Sequence, residues 1–178
     1  MQMEAIINQP TIPTARFDLR PLRRSDLGLI TMYASDPRVA MTTPTIPHPL
    51  PPGTMEAFIA RSMAEPRDED VWVMDGTKAG WPEVMGLVSL SRLDRQQSEI
   101  GYWVAPAFWN THVASEAVQA LVEANPLQNQ TMFAAVYHDN PASAKVLTNA
   151  GFIYLGDAET YCLARDAAVP TWTYSRKL

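Results

Sequence analysis

The chain has one cysteine, Cys162, in 178 residues. An internal disulfide, a CxxC redox pair and a multi-cysteine zinc site are therefore excluded. The eight glycines are scattered, none within two positions of another. That spacing excludes a GxGxxG dinucleotide fingerprint, and the sequence holds no GxxxxGK[ST] P-loop, GxSxG elbow or HExxH pair. Positive charge is also short: Lys+Arg number 14 against 19 for Asp+Glu, a formal net charge of −5. A duplex-binding protein needs a basic face, so nucleic acid is not an expected partner. No apolar run approaches the ~18 residues of a membrane span, so no membrane association is expected. The opening MQMEAIINQP has neither the cationic start nor the apolar core of a signal peptide. The expectation is one cytoplasmic domain over residues 1–178, long enough to bury roughly 70% of its unfolded surface without a staple.

Proline is plentiful and unevenly spread. Nine of the fifteen lie between Pro10 and Pro52, and TTPTIPHPLPPG (Thr42 to Gly53) reads as a semi-rigid surface flap. Around it, secondary structure alternates. A strand is predicted over Arg16 to Leu22, then a helix from a Ser25 cap to about Tyr33. A second helix spans about Thr54 to Ala64. Val71 to Met74, Glu83 to Leu93 and Glu99 to Val104 read as three strands in hairpin succession. A helix beginning near Asn110 carries Val113, Ala114, Ala117, Val118, Leu121 and Val122 as one apolar stripe. Met132 to Tyr137 is the next strand. Asn140-Pro141 opens a helix that Gly151 closes, with Asn as cap and Pro at the first position. Phe152 to Leu163 and Thr171 to Leu178 finish as strands. The order β-α-α-β-β-β-α-β-α-β-β is a mixed α/β layer fold.

Chemistry concentrates between Glu99 and Val122, where a strand passes through a short Pro-containing connector into a helix. The first amides of a helix lack internal partners and sit at the positive end of its dipole, so such a junction can hold an anion. Between Arg95 and Arg165 the only Lys or Arg is Lys145. A phosphate bound here would rest mainly on backbone N–H groups. His112 and Glu116 stand four apart, but a helix pair without a third ligand is not a metal site, and no metal is expected. Cys162 reads as a small core residue, His138 as a strand-end residue and His48 as a surface residue of the flap.

The same segment resembles the acetyl-CoA-binding region of the GNAT superfamily of N-acetyltransferases, in particular its RimJ/RimL-like branch of ribosomal-protein-alanine acetyltransferases. That branch reads EIGYWL, a short linker, then W-(G/N)-x-G-x-A-(T/S)-E-A. Here the matches are Glu99-Ile-Gly-Tyr-Trp-Val104, then Trp109-Asn110-Thr111-His112-Val113-Ala114-Ser115-Glu116-Ala117. DNPASAKVLTNAGF (Asp139 to Phe152) is similar to the branch's N-x-x-S-x-(R/K)-(V/L)-(L/M)-x-(K/N)-x-GF. RFDLRPLRRSDL resembles its first strand and helix, so the likeness covers nearly the whole chain.

The resemblance implies a single-domain GNAT fold: a mixed, mostly antiparallel central sheet, splayed at the cofactor site and flanked by about four helices. Two central strands would part after the fourth strand, EIGYWV, and the CoA pantetheine arm would lie in the gap. Backbone groups of Trp103 and Val104 would pair with that arm. Amides of Trp109, Asn110, Thr111, His112, Val113, Ala114 and Ser115 would cradle the pyrophosphate. Asn140 would hold the pantetheine, Ser143 would sit near the thioester sulfur, and Lys145 is the one side-chain cation placed for the cofactor. The branch usually has glycine where His112 stands, and a Cβ narrows the approach of backbone to phosphate.

In the family an amine attacks the acetyl carbonyl directly in a ternary complex. Glu99 is the candidate general base and shares a strand face with Trp103, with Gly101 leaving room between them; as a solvated strand-end residue it would have no such role. A backbone N–H near Val104 would serve the oxyanion. Some relatives use a tyrosine four residues before the GF as the acid at sulfur; Leu147 occupies that position, which leaves Ser143, itself alternatively a first-turn residue bonding backbone. Asn140 caps its helix with or without a ligand. Tyr102, Trp103 and Trp109 read as core or cleft-wall aromatics. Neutralising an α-amine of pKa about 8 at pH 7 costs about 1.4 kcal/mol, and a lysine of pKa about 10.4 more than about 4 kcal/mol. The expected function is acetyl transfer to a primary amine, a protein N-terminal α-amine favoured. A small amine, amino acid or aminoglycoside acceptor, and a non-catalytic acyl-CoA-binding domain, are the alternatives. The chain is expected as monomer or homodimer.

Overall fold

The computed structural model describes residues 9–178. The signal-peptide expectation falls on residues 1–10, and all but the last two of those lie outside the described part. There are eight strands there: β1 (Ile12–Pro13), β2 (Asp18–Pro21), β3 (Glu69–Asp75), β4 (Gly86–Leu93), β5 (Gln97–Val104), β6 (Thr131–Tyr137), β7 (Ile153–Cys162) and β8 (Ala167–Lys177). They form one sheet in the order β1-β2-β3-β4-β5-β6-β8-β7. Every neighbouring pair is antiparallel except β5 and β6, which are parallel. The helices are α1 (Leu27–Ala34), α2 (Pro37–Ala40), α3 (Thr54–Met63), α4 (Val113–Ala124) and α5 (Pro141–Asn149).

The two faces of the sheet bury separate apolar layers, as period-two strands require. On one face Val88, Leu90, Ile100, Val104, Ala134 and Val136 pack with the stripe of α4 (Val113, Ala117, Val118, Leu121, Val122) and with Leu147 of α5. On the other, Val71, Val73 and Leu87 pack with Ile30 and Ala34 of α1, Val39 of α2 and Ile59 of α3. Trp103 joins this second layer and meets Tyr33 edge-on, ring centroids 6.3 Å apart.

Several local expectations are corrected. Among the described residues a short helix not expected from the sequence, α2, is added, because Asp36 accepts from the Arg38 amide and Pro37 starts the turn. Ser25 is not the cap of α1. It lies in a 3-10 turn, Arg24–Asp26, whose Asp26 carboxylate accepts from the Arg23 amide. The helix expected from Asn110 starts at Val113, because Asn110 and His112 are left-handed, with φ of 62° and 64°. A two-residue strand, β1, precedes the first one expected, and β8 starts four residues earlier than Thr171, at Ala167.

Register decides where the sheet opens. β4 and β5 pair along their whole length, from Leu93↔Gln97 to Gly86↔Val104. β5 and β6 pair only at Gln97↔Thr131, Ser98↔Met132 and Glu99↔Phe133. β6 nonetheless stays on β8 as far as Tyr137↔Thr171. From Ile100 onward, β5 leaves with β4 while β6 leaves with β8, and a fork opens whose vertex is Glu99. Gly86 holds the upper tine. A Cβ built on it would collide with the Trp103 carbonyl and stand 2.9 Å from Val104 Cα. We expect Gly86→Ala to cost more than about 2 kcal/mol in urea melts, since both obstacles are backbone.

The proline-rich segment crosses the second face and is tied down from the far side of the sheet. The buried Cys162 thiol donates to the Thr43 carbonyl at 3.3 Å, and the Leu163 amide to the Pro44 carbonyl at 3.1 Å. Arg165 Nη2 donates to the Met41 carbonyl at 2.7 Å and to Asp139 Oδ1 at 3.0 Å, and its guanidinium lies 5.0 Å from the Tyr137 ring centre. Cys162 is thus the core residue its sequence context suggests, with a second task as an anchor for the flap. His138 stacks on Trp172, ring centroids 4.7 Å apart, which suits its structural reading.

Candidate active site

A cavity of about 360 Å³ fills the fork. Glu99, Gly101, Tyr102 and Trp103 of β5 form one wall, and Ala135 and Tyr137 of β6 the opposite one. Asn140 and Ser143, at the start of α5, stand between, while Thr42 to Ile46 of the flap and Phe58 of α3 close the second face. Beyond Glu99 and Phe133 the inner edges of β5 and β6 have no strand partner among the described residues. Such edges offer alternating N–H and C=O groups to an extended ligand, as a sheet offers them to an added strand.

Glu99 occupies the vertex. Its carboxyl is held above the usual carboxylate range by desolvation in the cleft. Alternation puts Glu99, Gly101 and Trp103 on the flap side, as expected. A Cβ on Gly101 would meet only Ser89 Oγ, at 3.5 Å, so the space beside Glu99 is open. A second carboxylate shares the row: Glu69 of β3 is opposite Ser91 of β4, which is opposite Glu99. Glu69 Oε2 accepts from Ser91 Oγ at 3.0 Å and from Ser89 Oγ at 3.3 Å. Across the fork, the buried hydroxyls of Tyr137 and Thr171 have no hydrogen-bond partner among the described residues.

On the other side of β5, Tyr102 reaches α5. Its hydroxyl donates to the Ser143 carbonyl at 2.9 Å and accepts from Ser143 Oγ at 2.9 Å. Burial raises the Tyr102 phenol well above its ordinary value, and the Ser143 hydrogen bond offsets only part of that. Asn140 caps α5, with Oδ1 accepting from the Ser143 amide at 3.4 Å and Pro141 in the first position, as the dipeptide predicts.

The strand-to-helix junction lies past the open end of the fork, outside this cavity. Trp109 Nε1 donates to the Val104 carbonyl at 2.7 Å and pins the connector to the end of β5. Arg16 supports the loop from below: Nη2 donates to the Thr111 carbonyl at 2.8 Å, and Nε pairs with Glu116 at 2.9 Å. Glu116 is therefore a loop anchor. The amides of Asn110, Thr111, His112, Val113, Ala114 and Ser115 have no acceptor among the described residues. The left-handed turns at Asn110 and His112 bring these N–H groups to the helix start, where the dipole is positive. That geometry is why a glycine suits position 112: φ of 64° strains any residue with a Cβ, asparagine and histidine less than most.

The structure thus gathers Glu99, Trp103, Asn140 and Ser143 around one cavity, and Trp109 to Ser115 around a second centre at the helix start. Lys145 is exposed on α5 and does not line the cavity in the fork. Sequence reasoning missed the hydrogen bonding of the Tyr102 hydroxyl to Ser143, the support from Arg16 and the row that adds Glu69. Strand alternation did carry a signal for Tyr102, since it puts that residue opposite Glu99 and toward the helix layer. Among the described residues no group of three or more His, Cys, Asp or Glu side chains could hold a metal ion, and no helix is long and apolar enough to cross a membrane.

Residues 16–153 match the family model described as the acetyltransferase (GNAT) domain. No curated protein matches in sequence. Among solved structures, the RimL ribosomal L7/L12 alpha-N-protein acetyltransferase in complex with CoA superposes with a TM-score of 0.80 at 16% identity, over 95% of this chain and 98% of that one. The ribosomal-protein-S5-alanine acetyltransferase from Vibrio fischeri gives 0.77 at 20% identity, over 95% and 97%. The spermidine N-acetyltransferase from Vibrio cholerae, in complex with CoA and spermine, gives 0.73 at 17% identity, over 89% and 95%. At these identities the likeness is one of fold.

Proposed function

The chain belongs to the GNAT acetyltransferase family, an acetyl-CoA-dependent N-acyltransferase, and we propose that its acceptor is a protein N-terminal α-amine. The observation that carries the site is the fork, whose strand edges are unpaired among the described residues, with a helix start beyond it whose amides have no acceptor among them.

The residues present fit CoA. Amides from Asn110 to Ser115 would hold the pyrophosphate, supported by Arg16, while the edges of β5 and β6 and the cap Asn140 would hold the pantetheine arm. Bound there, acetyl-CoA supplies a thioester carbonyl to the attacking amine. Glu99, ionised and at the vertex, accepts the proton the incoming ammonium must lose. Its raised pKa brings its basicity closer to that of the amine and eases the transfer. A backbone N–H on the β5 edge near Val104 would stabilise the developing oxyanion. Ser143, at the start of α5 beside the fork, would sit near the thioester sulfur.

An α-amine suits Glu99 as base because little free energy is needed to neutralise the amine, about 1.4 kcal/mol at pH 7. A second reading has one observation in its favour. Glu69 and Glu99 lie in one row two strands apart, a separation of roughly 10 Å, which would suit a diamine. Arg61 of α3 lines the same cavity and opposes a doubly cationic ligand.

The test is calorimetric titration with acetyl-CoA, followed by CoA release with alanine-first peptides, spermidine and aminoglycosides. Micromolar binding and transfer to the peptides are expected. Transfer to spermidine alone would replace the α-amine reading, and absence of acetyl-CoA binding would sink the cofactor assignment. His112→Gly belongs in the same titration. Relief of the left-handed strain, about 1–2 kcal/mol, is opposed by the chain entropy of glycine, about 0.5–1 kcal/mol. We expect a Tm equal to or slightly above wild type and CoA affinity within about threefold, a change worth less than about 1 kcal/mol. A tenfold loss would instead show that the imidazole itself holds phosphate.

A further inference from the structure

We propose that Tyr102 is a positioning residue for acetyl transfer, a swivelling hydroxyl that decides whether Ser143 can offer its hydrogen to the sulfur of bound CoA. The proposal rests on the reading that the CoA arm lies in the fork between β5 and β6.

Two contacts define the pair. The Tyr102 hydroxyl is 2.9 Å from the Ser143 carbonyl oxygen and 2.9 Å from Ser143 Oγ. A carbonyl can only accept, so the phenol hydrogen is committed to it. The phenol oxygen is then the acceptor, and the serine hydrogen points at Tyr102 rather than into the cleft. Ser143 as found is therefore turned away from the place where a leaving sulfur would need it.

Turning the serine hydrogen toward sulfur leaves two oxygens facing each other with no hydrogen between them. The phenol can repair this in one motion, by moving its own hydrogen from the Ser143 carbonyl to Ser143 Oγ. The two hydroxyl oxygens then keep a hydrogen between them while the Ser143 carbonyl falls back on its bond within α5, whereas a phenylalanine would leave the serine oxygen unsupported in a half-buried site, a loss typical of an unsatisfied hydroxyl. A relayed pair of hydroxyls is also the better donor, since each hydrogen bond polarises the next.

No covalent bond to hydrogen breaks at either residue. Burial keeps Tyr102 protonated, so the pair acts as a hydrogen-bond donor and not as an acid. The C–S bond breaks with its electron pair going to sulfur, and the pair stabilises the thiolate. The proton lost by the amine goes to Glu99 and then to solvent, and the thiolate takes its proton from solvent after release.

The measurement is the pKa of the CoA thiol in its binary complex, read from thiolate ultraviolet absorbance, which needs no acceptor. In the wild type it should lie below that of an ordinary thiol, about 8.5. Tyr102→Phe should raise it by about one unit, a tenfold change in thiolate fraction, Ser143→Ala by as much, and the double variant no further. kcat should fall about tenfold in Tyr102→Phe with the acceptor KM unchanged. A purely structural role would lower Tm or CoA affinity and leave the thiol pKa in place. CoA binding with a wild-type thiol pKa in Tyr102→Phe, or an unmoved one in Ser143→Ala, overturns the swivel alone. Failure of the wild type to bind CoA overturns the cofactor reading and the swivel with it.

Discussion

Arg20→Met is expected to destabilise the protein by about 3–5 kcal/mol, the cost of stranding buried charge. Arg20 lies on β2 with 4% exposure, and its two partners are as deeply placed, Asp26 at 1% and Asp75 at 8%. Nε donates to Asp75 Oδ2 at 2.7 Å, while Nη2 and Nη1 meet the Asp26 carboxylate at 2.8 Å and 3.0 Å. One guanidinium thereby joins β2, β3 and the turn before α1. Methionine matches its length and keeps the packing of its stem, but it leaves two carboxylates without a cation. Truncating one partner is the costly change; replacing the set by apolar residues of similar volume is often close to neutral. A variant with all three positions apolar should therefore regain most of the loss. Urea unfolding followed by fluorescence of the buried Trp72 measures both. Equal stability of Arg20→Met and wild type would mean that these charges are hydrated in solution.

The same network predicts acid behaviour. Burial alone would raise the pKa of Asp75, but Arg20 and the Thr77 hydroxyl and amide outweigh it and hold the group below its ordinary value. A depressed carboxylate contributes stability that is fully present above the unfolded value, about 3.9, and is lost as pH falls through the folded one. Removing Arg20 takes away the leading effect that holds Asp75 down, so Arg20→Met should lose less stability than wild type as pH falls. Equilibrium unfolding between about pH 7 and pH 3 would show the two curves converging as acid is added.

Glu99→Gln is expected to lower turnover at pH 7 by about 10²–10³-fold while leaving acetyl-CoA affinity within about twofold. The amide keeps the shape of the side chain at the vertex and removes only the capacity to take a proton. The pH dependence separates a base from a merely structural residue. Wild type needs Glu99 ionised, so its activity should fall on the acid side through a pKa above the ordinary carboxylate value, in the direction desolvation imposes. The variant has no such group, and its rate should climb as the amine itself becomes neutral, near pH 8 for an α-amine. The deficit should therefore shrink at alkaline pH. A deficit of the same size from pH 6 to pH 9, or none at any pH, would remove Glu99 from proton transfer.

Much of the site was legible where local rules govern. Asn140, Pro141 and the closing Gly151 announce α5 because a cap, a fixed φ and a left-handed stop act within a single turn of helix. The stripe from Val113 to Val122 announces the buried face of α4, and EIGYWV its strand, because each period repeats within a few residues. The family motifs then pointed to Glu99, Asn140 and Ser143 before any contact was known. The start of α4 was misplaced by three residues for a physical reason. Nothing in the composition of Asn110-Thr111-His112 reveals that the first and third of these turn left-handed under the hold of Arg16 and Trp109.

By itself, then, the sequence determined the types and order of the main elements, though not of the short β1 and α2, together with the apolar faces and the residues that could carry chemistry. Tertiary structure alone decided where the sheet opens and what the hydroxyls do there. The fork exists because β5 follows β4 and β6 follows β8 after only three shared pairs, and register between strands depends on the whole sheet rather than on either strand. The Tyr102 hydrogen bonds to Ser143 span 41 residues. The Arg165 hold on the flap at Met41 spans 124. Local propensity acts over a turn or a hairpin, and partners this far apart in the chain meet only once the apolar layers on both faces of the sheet have closed.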